Sequence, residues 1–416
     1  MKRIIFSLFA FCISSVVFAQ KDTNKIVTLL TNLRVQMECT EAMDSLYNGN
    51  FLVAESQFSR LQQQYPEHPL GDFLMALSQR WKIMPNDEET KFDAKFYEYL
   101  EITIDKALDL YKKEKKNPEA AFFLACAYGL KAQRLEENGK PLSAVFPAEK
   151  ASDYIVKNLE VDEIYGPEFN FGKGLYNYFR EWIPLNKKSL KPIIMTFRKG
   201  NMTLGIDQLQ ETANTAFYTR VEALVYLMDI YNGYGVYNEK KEKINTSYKA
   251  FEISKNLYRN YNLNKYFERR YAEMCIITGN DELIGLEIMR KNLALEFEKE
   301  GTLDTKTLRN FSYFYASDLW DKGDKQKASS LFEIMVRSSE KIDLMDANYT
   351  MTALYNLAKY NVETKNKEKA LEYYKLLEDN YDNNAPKSYK DKHKPNVKEA
   401  KIFIKNNTSK KFFGIF

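Results

Sequence analysis

The chain has 416 residues, of which 61 are Lys or Arg, 57 are Asp or Glu, and 44% are hydrophobic. That length and apolar content suit two or three domains or one long solenoid, and the near-balance of charge argues against a general nucleic-acid binder. With only 16 Gly and 11 Pro, the chain lacks the turn residues of an all-β protein and reads as all-α.

Residues 1–19 read as a secretory signal peptide. Lys2 and Arg3 open it, Ile4 to Phe18 is apolar apart from Ser7, Ser14 and Ser15, and Val17 and Ala19 put short side chains at the cleavage positions. About 15 apolar residues is short for a bilayer span. The mature chain is therefore expected to start at Gln20 and to be exported, with 59 basic against 57 acidic residues. Cys39, Cys126 and Cys275 cannot all pair with one another and lie in helical runs, so they read as small buried residues.

From Asn24 onward one spacing returns. Ala42 lies seven residues before Gly49, with Ala54 five and Phe58 nine after it. Antiparallel helices approach closely where a small side chain stands, and a glycine between them can take the left-handed conformation that ends the first helix. Pro66 closes this unit, and Pro69 opens a helix to about Trp81. Pro85 to Glu89 reads as a polar loop. A helix follows from Lys91 to about Lys113, with Phe96, Leu100, Ile104, Ala107 and Leu110 on one stripe. Ala132, Gly139 and Ala144 restore the spacing.

Residues 163–205 are the least regular part. Gly166, Gly172, Gly174, Pro184 and Pro192 are expected to break this stretch into short helices, with glycine admitting close backbones. Arg220 to Tyr231 and Asn245 to Asn260 form a further pair, with the charged loop Tyr237 to Lys243 between them. Ala272 precedes Gly279 by seven, but Ile284 stands where the next small residue belongs. In the stretch Asn310 to Glu340, Ala316, Gly323, Ala328 and Phe332 meet all four offsets. The last unit, Thr350 to Tyr381, has Ala358, Ala370 and Tyr374 at those offsets and Lys365 in the glycine position. Asn383 to Pro395 reads as a polar linker, Val397 to Lys405 as a capping helix, and 406–416 as a basic-aromatic tail.

This spacing resembles the tetratricopeptide repeat, a helix–turn–helix unit of about 34 residues. The resemblance implies a right-handed solenoid of about seven or eight helix pairs over 20–405. The Ala19-Gln20 junction and the richness in Lys, Asn and Tyr resemble exported proteins of this kind in Gram-negative bacteria of the Bacteroidetes group, with the periplasm as destination. A weaker local similarity links the glycine-rich stretch to eukaryotic outer-mitochondrial and inclusion-body-clearance members. In the repeat family the first helix of each pair lines the concave side. Carried over position by position, this implies partner contacts from Tyr266, Arg269, Glu273, Asn310, Tyr313, Trp320, Tyr355 and Lys359. The implied function is a scaffold for a protein or peptide partner. Two alternatives stand beside it: a carbohydrate or envelope polymer stacked on aromatics such as Tyr178 and Trp182, and peripheral membrane contact through the tail.

Catalytic chemistry is not written in the chain. His68 and His393 are the only histidines, each within two residues of a proline and expected to be exposed, so a zinc site or a serine triad has little material. No nucleophile elbow, phosphate-cradling loop or metalloprotease signature occurs. No metal or other cofactor is expected, and no enzymatic activity.

Overall fold

The computed structural model describes residues 28–114, 117–157, 166–238, 240–339, 344–383 and 387–408. The signal segment and residues 409–416 of the tail lie outside them. In the first half of the chain the helices are α1 (Leu33–Tyr47), α2 (Phe51–Gln64), α3 (Leu70–Ile83), α4 (Asp93–Lys113), α5 (Pro118–Glu137), α6 (Pro141–Lys157), α7 (Gly166–Asn186), the short α8 (Lys191–Ile194) and α9 (Met202–Thr215). The second half adds α10 (Arg220–Asp229), α11 (Ser247–Asn260), α12 (Lys265–Thr278), α13 (Glu282–Glu298), α14 (Thr305–Asp321), α15 (Lys325–Arg337), α16 (Leu344–Glu363), α17 (Lys367–Asn383) and α18 (Lys387–Thr408). They pack as eight antiparallel pairs: α1 with α2, α3 with α4, α5 with α6, α7 with α9, α10 with α11, α12 with α13, α14 with α15 and α16 with α17. In most steps the second helix of one pair also packs on the first helix of the next, and α18 covers α17. The chain is an all-α helical-repeat solenoid.

The turns explain the spacing. Gly49, Gly139 and Gly323 have φ of +79°, +71° and +88°, and each is followed by a residue whose N–H reaches back five positions. Those bonds are Asn50 to the Ser45 carbonyl, Lys140 to Leu135 and Asp324 to Leu319. This Schellman geometry satisfies carbonyls that the helix end leaves unpaired. Lys365 adopts the same conformation with φ +60°, and Asn366 N–H bonds the Asn361 carbonyl. On either side, Ala42 and Ala54, Ala316 and Ala328, and Ala358 and Ala370 are buried at the crossing.

Four expectations need correction. First, the turn at Gly279 is one residue longer, because Asp281 also has positive φ. The small residue is therefore Gly285, where a Cβ would meet Cys275 Cβ at 2.6 Å and the Ala272 carbonyl at 2.9 Å, and Ile284 points outward. Second, α7 is continuous, with Pro184 only in its last turn. Its glycines serve proximity: a Cβ on Gly174 would strike the Gly205 carbonyl at 2.9 Å, and one on Gly205 the Gly174 carbonyl at 2.7 Å. Third, α10 runs into a π turn, Ile230–Tyr234, and the loop beyond holds a small antiparallel ladder, β1 (Val236–Tyr237) with β2 (Lys243–Ile244). Fourth, residues read as a linker before Pro395 belong to α18. All three described cysteines are buried and unpaired.

Two substitutions test the turn and the crossing. Ala328→Leu is expected to cost about 1–3 kcal/mol by overpacking. Lys365→Gly is expected to gain about 1 kcal/mol, because the left-handed penalty of an L-residue exceeds the extra chain entropy of glycine. Urea denaturation of both variants decides; a lower midpoint for Lys365→Gly would refute the turn argument.

Candidate interaction groove

The site is built around α3, whose residues Leu70 to Trp81 are all buried. A helix buried on every side lies inside a structure, with neighbours all round. Besides its own pair, α3 touches distant ones through Trp81. The indole N–H donates to Glu222 Oε1 at 2.7 Å, and the ring meets Tyr47, Tyr266 and Phe267 edge-on at 5.3, 5.9 and 5.2 Å. Asn264 Nδ2 donates to the Tyr47 carbonyl at 2.7 Å. The first two pairs are thereby bound to the fifth and sixth. Burial pushes the Glu222 carboxyl above its usual range, against the pull of Trp81 and Arg80.

The segment after α3 enters the inner face formed by α12 and α14. Arg269 Nη1 donates to the Pro85 carbonyl at 2.6 Å and to Thr307 Oγ1 at 3.2 Å. Lys306 Nζ bonds Asp87 Oδ1 at 2.8 Å, and Arg309 Nη2 bonds Glu88 Oε1 at 2.8 Å. From the other side Arg134, fully buried, donates to the carbonyls of Asp87 and Glu89, each at 2.7 Å, and to Asp93 Oδ1 at 2.8 Å. A non-helical segment carries carbonyls that must be satisfied once buried, and these guanidinium groups satisfy them. Burial pushes the Asp87 carboxyl up, but the Lys306 ammonium together with Arg269 and Arg80 outweighs it and holds the group below the carboxylate range.

The groove positions inferred from the repeat pattern fall into two sets. Tyr266, Arg269, Glu273 and Asn310 are brought together: Asn310 Nδ2 donates to Glu273 Oε1 at 2.7 Å, and Arg269 Nε lies 3.7 Å from the same oxygen. Tyr266, Arg269 and Asn310 are buried, with Tyr266 against Trp81 and Arg269 on Pro85, so this half of the groove is occupied by the chain's own residues. The other set lies further along. Tyr313 stacks on Tyr349 at 4.2 Å, and Trp320 packs on Phe332 with Lys325 Nζ 5.2 Å above its ring. Tyr355 and Lys359 hold the capping helix: Tyr355 OH donates to Glu399 Oε2 at 2.8 Å, and Lys359 Nζ lies 3.2 Å from Oε1, which also accepts from Tyr374. Tyr313, Ser317 and Trp320 remain half-exposed and Asp321 exposed.

Both histidines depart from expectation. His68 is buried at the start of α3, where Nδ1 accepts from Leu70 N–H at 3.2 Å and Nε2 lies 3.4 Å from Glu119 Oε1. His393 is buried under α16, its Nε2 2.9 Å from Asn348 Oδ1. The aromatics of the glycine-rich stretch are tied down as well. Tyr178 is buried with its OH on the Gly235 carbonyl at 2.6 Å, and Trp182 donates to the Tyr234 carbonyl at 3.0 Å and packs on Tyr234 and Phe179. That arrangement offers no paired exposed platform for a sugar ring. Among the described residues no cluster of His, Cys, Asp or Glu could hold a metal ion, and no helix is long and apolar enough to cross a membrane.

Sequence reasoning missed Trp81, the segment from Pro85 to Glu89, Arg134 and Arg309. One signal was available: Leu70 to Trp81 has apolar residues around its whole circumference, the mark of a central helix.

No protein-family model matches the sequence, and a search of curated proteins finds no match. Among solved structures the chain is similar to the human IFIT1 dimer with m7Gppp-AAAA, at 14% identity over 86% of this chain and 67% of that one, with a TM-score of 0.41. It is also similar to the P58(IPK) TPR domain, at 14% identity over 90% of this chain and 99% of that one, with a TM-score of 0.21.

Two measurements probe the site. Arg269→Ala removes the donor to a buried carbonyl and leaves a cavity, so it is expected to cost about 2–4 kcal/mol in urea denaturation. No loss would mean that Pro85 to Glu89 is not anchored there. His393 gives a pH signature. Burial, with Lys392 nearby, pushes its imidazole down from 6.5 to about 4. The unfolded chain thus binds the proton first as the pH falls, and stability present above about pH 6.5 is lost towards pH 4. Hydrogen exchange is expected to show α18 loosening across that window in the parent and not in His393→Gln.

Proposed function

We propose that the chain is a non-enzymatic, tetratricopeptide-like scaffold that holds a protein or peptide partner on the inner face of its C-terminal half. One observation carries this reading. The inner face of α12 and α14 already grips a loop of turns, Pro85 to Glu89, through the Pro85 carbonyl and the carboxylates of Asp87 and Glu88. Side chains that hold a loop of this chain by its carbonyl and carboxylate oxygens have the chemistry to hold a peptide from another chain. The self-occupied half leaves the stretch around Tyr313, Ser317, Trp320 and Asp321 for a partner. A half-exposed Trp with a cation above it is the kind of anchor that interfaces concentrate their energy on. The signal-like order of residues 1–19 supports export, with the periplasm as the site of action.

Affinity capture from the cell envelope, followed by calorimetric titration of the captured partner, tests this. Trp320→Ala is expected to weaken binding by about 1–2 kcal/mol or more while Lys322→Ala changes it by less than about 0.5 kcal/mol. Circular dichroism verifies the fold of both variants. Equal affinity of parent and Trp320→Ala would remove this face from consideration.

A further inference from the structure

The connection between α7 and α9 carries charge of one sign only. Between Glu181 and Asp207 there is no acidic residue, and five basic ones occur: Lys187, Lys188, Lys191, Arg198 and Lys199. In a chain with nearly equal numbers of both signs, this is a local excess of positive charge. All five are exposed. Lys187 has an acidic neighbour, Glu136, at 3.2 Å. Apolar side chains stand among them: Leu185 and Met195 are exposed, with Met195 57% accessible, and Ile193 and Phe197 are half-exposed.

This surface is held in shape from below. Arg180 of α7 donates to the Phe197 carbonyl through Nε at 3.1 Å and Nη2 at 3.0 Å, and Nη2 lies 3.4 Å from the Met195 carbonyl. Tyr176 OH bonds the Arg198 carbonyl, and Glu181 accepts from Gly200 N–H at 3.0 Å. Arg180 and Glu181 are thus turned inward to fix the backbone, which leaves the outer face to cations and apolar tips. The contact between Lys187 and Glu136 sets the end of α7 beside the end of α5, where α6 begins with exposed Leu142 and Phe146, and Lys150 Nζ lies 5.4 Å from the Phe146 ring centroid.

We propose that this edge of the solenoid docks on an anionic lipid bilayer surface. Lysine and arginine side chains would meet headgroup phosphates, while Leu185 and Met195 enter the boundary with the acyl chains. The mixture favours a bilayer over an acidic protein. The apolar side chains are spaced among the lysines, and an interface with phosphate above and hydrocarbon below satisfies both at once. The site is separate from the groove at Trp320, so either proposal can fail alone.

Flotation of the full chain with vesicles tests the proposal. Vesicles of phosphatidylcholine alone are compared with vesicles containing about 30% phosphatidylglycerol, at low salt and at about 0.5 M salt, where charge attraction is screened. The expected result is binding to the anionic vesicles only, weakened at least about tenfold by salt and by the variant Lys188→Glu/Lys191→Glu/Arg198→Glu/Lys199→Glu. Met195→Asp is expected to weaken binding without altering the circular dichroism spectrum, which separates docking from folding. Charge reversal at Lys398 and Lys401 of α18 is expected to leave binding unchanged. Equal binding to both vesicle types, no binding to either, or loss only on the α18 reversal overturns the proposal. Capture by an acidic protein with no vesicle binding also overturns it.

Discussion

The indole N–H of Trp81, once buried, needs an acceptor, and the chain supplies one from 141 residues away in Glu222. The remaining closure of the solenoid depends on this meeting. The Trp81 ring fills the space between α1, α10 and α12, and its position at the end of α3 directs Pro85 to Glu89 into the inner face. Removing water from an indole, a carboxylate and several guanidinium groups is costly, and the acceptors met by the Trp81 N–H and by Arg134, Arg269 and Arg309 offset that cost, although Arg269 Nε and Asn310 Oδ1 are buried without a hydrogen bond. Arg134 and Arg309 are fully buried and each has a carboxylate partner.

Closure changes what the groove residues do. At Tyr266, Arg269 and Asn310 a mixture of aromatic, cation and amide serves an internal ligand, so the same mixture that marks recognition in an open solenoid here marks self-recognition. At the other end Glu399 gathers two tyrosine hydroxyls and an ammonium, and burial is outweighed by those partners, which keeps its carboxyl below the usual range. The inner face is thus closed by two different devices, a loop at one end and a helix at the other.

Local chemistry was legible in the sequence and long-range pairing was not. Gly49, Gly139 and Gly323, with their flanking alanines, could be read because turn and crossing are set within about twelve residues of one another. Lys365 could be placed for the same reason, although its residue type is wrong for the conformation it adopts. The continuity of α7 was hidden because Gly174 looks the same in a sequence whether it breaks a helix or admits a neighbour such as Gly205. His68 was misjudged because the helix that Pro69 opens is central and draws the residue before it into the core, and His393 because Pro395 sits inside a helix where a nearby proline signals a loop. Nothing within the stretch Pro85 to Glu89 indicates that Arg269, Lys306 and Arg309 will hold it, since those partners lie more than 180 residues away.

An open repeat array is a one-dimensional system in which each unit answers only to its neighbours and the ends fray independently. The bond between Tyr47 and Asn264 turns this chain into something closer to a ring. The first two pairs cannot reach their final environment until the sixth has formed, so loop closure over some two hundred residues precedes the reward, which raises contact order and slows folding. The last pair and α18 share a small apolar cluster of their own, around Leu354, Tyr374 and Val397. Cooperativity is therefore uneven along the molecule: α16 belongs to both clusters, through Ala353 and Leu357 on the side of the body, and α17 with α18 is the part that opens at least cost.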